Sequence, residues 1–222
     1  IFAKYLGEEL NTTITVVNEP GASGWVSWLK YMNHEPDGYL LLAVNDTMNF
    51  MRHNPSTFYE EGVEDFQLLA CQVIDISSMV CRAGETRFTT FEELIDYAKK
   101  NEVTVSVSAL GTEDAIVIYQ LNKKLGTKFT PVVAADGSNA GNADLLGGHV
   151  DLISNNVAAV NSFVQENQMK PLVVFNETRS VFWPDVPTYE EIMGEPMNFH
   201  SARGIMMPKG GDPEVVKILI DA

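Results

Sequence analysis

The 222-residue chain contains only two cysteines, Cys71 and Cys81. A disulfide-dense scaffold is therefore excluded, and the plain expectation for both is a buried free thiol, because an unpaired cysteine behaves as a small apolar side chain. Basic residues are also scarce, with 15 Lys and Arg against 30 Asp and Glu and a formal net charge of -15. Neutralising phosphates needs a basic face, so nucleic acid is not expected as a partner. The chain has no run of about 18 apolar residues, the length at which a helix spans a bilayer. It has no initiator Met and no signal peptide. No N-cap residue precedes the helical spacing of Ile1, Phe2, Tyr5, Leu6 and Leu10, so the natural protein is expected to extend further at this end.

Signatures of cofactor chemistry are missing too. His34, His53, His149 and His200 stand alone, without HExxH or CxxC spacing, so no metal site is expected. There is no GxGxxG and no Walker A loop. Gly21-Ala22-Ser23-Gly24 falls one residue short of GxSxG and reads as a tight turn in which Ser23 caps a helix. A hydrolase or transferase would lack a nucleophile paired with a base. The acidic pairs Glu60-Glu61 and Glu190-Glu191 read as solvated faces. No cofactor is expected.

What the sequence does have is average globular composition, 45% hydrophobic and 20% charged, and enough length for one large domain or two modest ones. Short β-rich or apolar runs alternate with amphipathic stretches. Strands are expected at 13–17, 39–44, 66–73, 78–81, 103–107, 129–133, 150–153, 171–175 and 204–207. Helices are expected at 25–32, 91–98, 113–125, 138–146, 157–165, 188–193 and 213–222. Thr90 and Glu93 have capping-box spacing. Such alternation implies βαβ units with parallel sheets, and the run 39–44 fits a strand buried on both faces. The polar stretch at 82–89 marks the expected boundary between two αβ blocks.

Four polar loops of small residues fall at the C-terminal ends of the expected strands, where open parallel sheets bind ligands. They are Asn45-Asp46-Thr47, Ser108-Ala109-Leu110-Gly111-Thr112 with Asp114 just beyond, Asp136-Gly137-Ser138, and Ser154-Asn155-Asn156. Two run straight into helices, whose free N–H groups and dipole favour an anion. A ligand carboxylate is expected at the backbone N–H groups near Gly111 and Thr112, with the Thr112 hydroxyl donating as well. The loops hold no Lys or Arg, while Asp46, Glu113, Asp114 and Asp136 lie in or beside them. A buried trianion would lack counter-charges. The expected ligand is therefore of low net charge, a monocarboxylate or an amino acid-like zwitterion. The acids either face solvent, or one of them, Asp114 or Asp136, pairs with an ammonium group.

These segments occur in a familiar order. Residues 16–24 (VVNEPGASG) resemble the VVEN-x-PGAGG stretch of the tripartite tricarboxylate transporter substrate-binding proteins, the TctC or Bug family. Pro36-Asp37-Gly38-Tyr39 matches their PDGY. Asp144-Leu145-Leu146-Gly147-Gly148-His149-Val150-Asp151 is similar to DLLGGQVD, Pro184-Asp185-Val186-Pro187-Thr188 to PDVPT, and Pro213-Glu214-Val215-Val216 to a late P-x-EVV helix. The resemblance covers essentially the whole chain. It implies an α/β, type II periplasmic-binding-protein fold of two lobes, 1–82 with 199–222 and 83–198, trapping a carboxylate, with the strand 204–207 paired in the first lobe. It also implies a monomeric extracytoplasmic receptor, free or lipid-anchored, that serves membrane permease subunits and is not an enzyme. The family's first strand and ligand-holding loop would precede residue 1. Ala115 stands where the family often has His, and Ala134-Ala135-Asp136-Gly137 replaces PYKG. The alternative is a ligand-sensing domain of the same fold in a signalling or regulatory protein, although no segment of this acidic chain resembles a DNA-binding element.

Overall fold

The structure is a computed structural model and describes residues 2–19, 24–45, 62–135 and 138–222. The chain forms two compact units, Ile1–Val73 with Ala202–Ala222, and Ile74–Ser201. The polar stretch 82–89 lies inside the second unit, where Arg82 Nη1 donates to the carbonyls of Leu145 (3.0 Å) and Val150 (2.8 Å).

In unit 1, helix α1 (Phe2–Glu9) buries Leu6 and Gly7, and α2 (Trp25–Tyr31) buries Trp25 and Trp28. The α2 N-cap position is Gly24, at a left-handed φ of 102° that glycine adopts without strain. Ser23, the expected cap, lies outside the described residues. The two indoles meet edge-on at 5.7 Å and pack with Leu42, Phe66 and Met206. Strand β1 (Leu42–Asn45) pairs antiparallel with β7 (His200–Pro208), from Leu42↔Met206 to Asn45↔Arg203. The late strand thus returns to the early one.

The run 39–44 is not buried on both faces: Leu42 is buried, but Tyr39 is 95% exposed. Residues 13–17 form no strand either. A strand exists only where a ladder partner exists, and among the described residues no strand pairs with this segment. Val16 and Val17 are exposed. The unit ends in α8 (Pro213–Asp221), capped by Asp212, whose Oδ1 accepts from Glu214 N–H at 2.8 Å.

Residues 66–73 and 78–81 form one strand, β2 (Phe66–Arg82), which carries the chain from unit 1 into unit 2. In unit 2 it pairs antiparallel with β5 (Leu152–Asn156) and β6 (Met169–Val174). Strand β3 (Val103–Val107) pairs parallel with β5 and with β4 (Phe129–Val133). The sheet is therefore mixed rather than purely parallel, because the chain enters it on a strand running against the βαβ units. Helices α3 (Phe91–Ala98) and α4 (Glu113–Leu125) cover one face, packing on Met79, Val105 and Leu152. Leu145 of α5 (Ser138–Gly147) and Val157 and Val160 of α6 (Val157–Gln165) cover the other, against Val80 and Ile153. A short α7 (Tyr189–Met193) follows β6 and carries a complete capping box between Thr188 and Glu191.

The Thr90 expectation holds. Its hydroxyl accepts from Glu93 N–H at 3.3 Å, while Glu93 Oε2 accepts from Thr89 N–H at 2.7 Å. Both cysteines are free, but Cys71 is exposed where a buried thiol was expected. The two lie ten residues apart on β2, so no bond can join them.

Candidate functional site

Strands β3, β4 and β5 of unit 2 end along one edge, and the loop after β3 is built around a carboxylate. Asp114 is 5% exposed. Its Oδ2 accepts from Ser108 N–H (2.6 Å) and from the Ser108 hydroxyl (2.7 Å), and its Oδ1 accepts from Ala115 N–H (2.9 Å). The Thr112 hydroxyl lies against Asp114 Oδ1 and 2.6 Å from the Ala109 carbonyl oxygen. Thr112 is the N-cap position of α4, but its side chain makes no capping bond to the helix. Asp114 itself sits where the free N–H groups and the dipole attract negative charge. The single Thr112 proton is thus committed inside the loop, and the chain's own carboxylate fills the anion position at the start of α4. Leu110 on the same loop is 55% exposed, and Gly111 is partly buried.

Asn155 and Asn156, expected in a loop, are the last residues of β5, which starts two residues later than the sequence suggested and is buried throughout. Asn156 Nδ2 donates to the Asp75 carbonyl (2.9 Å), and the Asn156 N–H donates to Asn155 Oδ1 (2.8 Å). Asp75 Oδ1 accepts from Ala158 N–H (3.2 Å), so the start of α6 also carries a buried carboxylate. Asn155 Nδ2 and the hydroxyls of Ser77, Ser106 and Ser154 are buried without a hydrogen-bond partner. Of these, Ser77, Ser154 and Asn155 lie at the strand-end edge. Ser138 begins α5; Asp46, Thr47, Asp136 and Gly137 lie outside the described residues. Among the described residues no group of three His, Cys, Asp or Glu could hold a metal ion.

The charges of unit 2 are segregated along its strands. Arg82, Arg87, Lys99, Lys100, Lys123, Lys124, Lys128 and Lys170 lie at or near the end where the parallel strands begin. There Arg87 bridges Glu85 (2.5 Å) and Asp151 (2.8 Å). Its guanidinium holds the Glu85 carboxyl down to about 2. Asp151 is opposed by burial, yet hydrogen bonds from Thr104 and Arg87 leave it below the ordinary carboxylate range. At the opposite end, Arg179 is the one cation among the described residues of this unit, and it is bound to Glu191 and to the Pro184 carbonyl.

Asn45 belongs to unit 1, at the end of the β1–β7 pair and opposite Arg203. Its Oδ1 is buried without a partner. A cavity of about 290 Å³ is lined by Val44, Asn45, Val63, Leu68, Cys71 and Arg203, among others. A second, of about 410 Å³, also reaches Asn45 and Arg203 and adds Gln72. Sequence reasoning missed Arg203. The available signal was a lone arginine inside an otherwise apolar strand, two residues before Ile205-Met206-Met207.

A family model described as the tripartite tricarboxylate transporter family receptor matches residues 1–222. The chain is 27% identical over 224 residues to the UPF0065 protein in gbd 5'region of Cupriavidus necator, covering 100% of this chain and 67% of that protein. It is 26% identical over 228 residues to protein BugT of Bordetella pertussis, covering 99% and 68%. The chain thus spans about two thirds of the length of these curated relatives. Among solved structures, a TctC solute binding protein from Polaromonas, without ligand, is 28% identical over 99% of this chain and 75% of its own, with a TM-score of 0.81. R. palustris Rpa4515 with adipate shares the fold at 22% identity, covering 98% and 73%, with a TM-score of 0.84.

Proposed function

The chain belongs to the tripartite tricarboxylate transporter receptor family, a family of solute-binding receptors rather than enzymes, and from that premise we propose that it captures a small carboxylate-bearing solute outside the cytoplasmic membrane and delivers it to the permease subunits of a tripartite tricarboxylate transporter. The observation that carries the reading is the family match along residues 1–222. On unit 2 the solute contacts are drawn from the strand-end edge: Leu110 and Gly111 after β3, and the unpaired Ser154 and Asn155 groups of β5. Adipate, the dicarboxylate of a fold neighbour, supports a small organic acid as the ligand class. The acids Asp75, Glu113 and Asp114, all buried at that edge, favour a solute of lower charge, a monocarboxylate or a zwitterion.

A solute bound only by the folded protein stabilises it by about 2.7 kcal/mol at 100 times its dissociation constant. That corresponds to roughly 5–11 °C in melting temperature for a chain of this size. A thermal-shift screen of small acids, amino acids and sugars should give that shift with an acid or amino acid. A strong shift from sugars with none from carboxylates overturns the ligand class.

A further inference from the structure

Among the described residues, three of the four arginines are engaged by the chain itself. Arg82, Arg87 and Arg179 donate to carbonyls or carboxylates of the chain. Arg203 is exposed and, among the described residues, has no hydrogen-bond or ion-pair partner. An unpaired guanidinium in a chain with net charge -15 has many acids to choose from, so its freedom is a feature of where it stands. It stands within β7, at the last pair of the β1–β7 ladder and directly opposite Asn45 on β1. Residues opposite each other in an antiparallel pair project to the same face with Cβ atoms about 5 Å apart. Both residues line the same two cavities, and Asn45 Oδ1 is buried without a donor. Around them the wall of the 290 Å³ cavity is apolar: Val44, Val63, Leu68 and Leu69. An apolar pocket with a few placed polar groups is the general form of a small-molecule site. The anion position at α4 in unit 2, where sequence reasoning had placed the ligand's carboxylate, already holds Asp114.

We propose that the Asn45–Arg203 pocket of unit 1 is the carboxylate subsite of this receptor, selecting a small apolar monocarboxylate that bears a hydroxyl or ammonium group next to its carboxylate. Arg203 takes the carboxylate with its planar fork of donors, which matches two carboxylate oxygens at once. Asn45 Oδ1 accepts from the neighbouring hydroxyl or ammonium. Val44, Val63 and Leu68 receive the hydrocarbon. The cavity, about 290 Å³, is at the small end of the range that takes a small organic molecule. Apart from Arg203, the described residues of the lining offer a second carboxylate no counter-charge, and its desolvation disfavours dianions.

The proposal rests on the receptor reading, and one set of probes separates the two. Leucine, 2-hydroxy-4-methylpentanoate and 4-methylpentanoate share a carbon skeleton and differ only in the group beside the carboxylate; glutarate supplies the dianion. Calorimetry on the wild-type protein should show binding of leucine or the hydroxy acid. The plain acid should bind at least ten-fold more weakly, and glutarate not measurably. Arg203→Gln should weaken the bound probe at least 100-fold and Arg203→Lys less. Both variants should melt like the wild type without probe, because among the described residues the Arg203 side chain has no hydrogen-bond or ion-pair partner to lose.

Cys71 gives a local readout. It is exposed and lines the cavity, whereas Cys81 is buried and its thiol is pushed up to about 11 by that burial. Saturating probe should slow iodoacetamide alkylation of Cys71, read by mass spectrometry, in the wild type and not in Arg203→Gln. Unchanged affinity in Arg203→Gln, unprotected Cys71 with probe bound, or preference for glutarate each overturns the subsite and leaves the receptor reading in place. Binding of none of the four, while another acid shifts the melting temperature, overturns it equally. Absence of any acid or amino acid ligand overturns both.

Discussion

Asp114 separates a structural carboxylate from a ligand-binding one, and its replacement by alanine measures which it is. The side chain is 5% exposed and accepts from two backbone N–H groups, Ser108 and Ala115, and from the Ser108 hydroxyl. Each buried donor stranded by the truncation costs about 1–3 kcal/mol. Loss of a negative charge at a helix start adds about 0.3–1 kcal/mol. The Ser108 hydroxyl can rotate to another partner, so the two amides dominate, and Asp114→Ala should destabilise the protein by about 3 kcal/mol. For a chain of this length that is roughly 6–12 °C in melting temperature. Asp114→Asn keeps one accepting oxygen and should lose about half as much. Differential scanning calorimetry on ligand-free protein gives the numbers, and a titration of each variant with the bound solute gives the other half of the test. A melting temperature unchanged in Asp114→Ala, combined with lost solute binding, would refute the account: Asp114 would then be a ligand group, as the zwitterion reading of the sequence allowed.

Acid should loosen unit 2 through Glu85 and Asp151. Both carboxyls are held below their ordinary range in the folded state, Glu85 at about 2 with Arg87 as the chief cause. Their contribution is therefore complete above about pH 4.5 and lost as pH falls toward 2, about 3 kcal/mol for Glu85 alone; Arg87→Gln should flatten that part of the urea stability profile, and an unchanged slope would remove the clamp. Gly204 permits the close approach of β7 to β2, since a Cβ there would stand 2.6 Å from the Ala70 carbonyl oxygen. Gly204→Ala should cost about 1–3 kcal/mol by overpacking, visible as a lower urea midpoint at unchanged slope, whereas Gly126→Ala meets no atom within 4 Å and is opposed only by its left-handed φ of 68°.

Local signals in the sequence translated well into structure. The Thr90 N-cap, the Asp212-Pro213 helix start and the helix Val157–Gln165 depend on residues a few positions apart, and each is present, although Glu93 returns its bond to Thr89 rather than to Thr90. Non-local determinants were invisible. The TITVV run at 13–17 has strand propensity, but propensity cannot supply a ladder partner. Strand β5 was placed two residues early because Ser154, Asn155 and Asn156 look like loop residues; they are strand residues whose polar groups lie buried at an edge. The candidate loop after β3 is legible from its small residues, whereas for Asp114 the sequence leaves open a solvent-facing acid or a partner for a ligand ammonium, and its hydrogen bonds run to Ser108 and Ala115. Arg203 and Asn45 are 158 residues apart in sequence and meet only through the register of β1 and β7. Nothing in one strand announces its partner.

Unit 2 is a single uninterrupted segment, Ile74–Ser201, inserted into a unit whose pieces lie on either side of it. Near its two ends Ser77 N–H donates to the Phe199 carbonyl at 3.0 Å, so the segment closes on itself. On the ribosome this imposes an order. Strand β1 emerges first and must wait while the 158 residues up to Arg203 are made, roughly 8–32 s at 5–20 residues per second. During that interval unit 2 can fold as a finished piece, whereas Leu42 to Asn45 have the α2 indoles beside them but no β7 ladder until that strand arrives. The Asn45–Arg203 pair is thus among the last contacts the chain can make, and newly synthesised protein should acquire its unit 1 pocket only after unit 2 is already resistant to proteolysis.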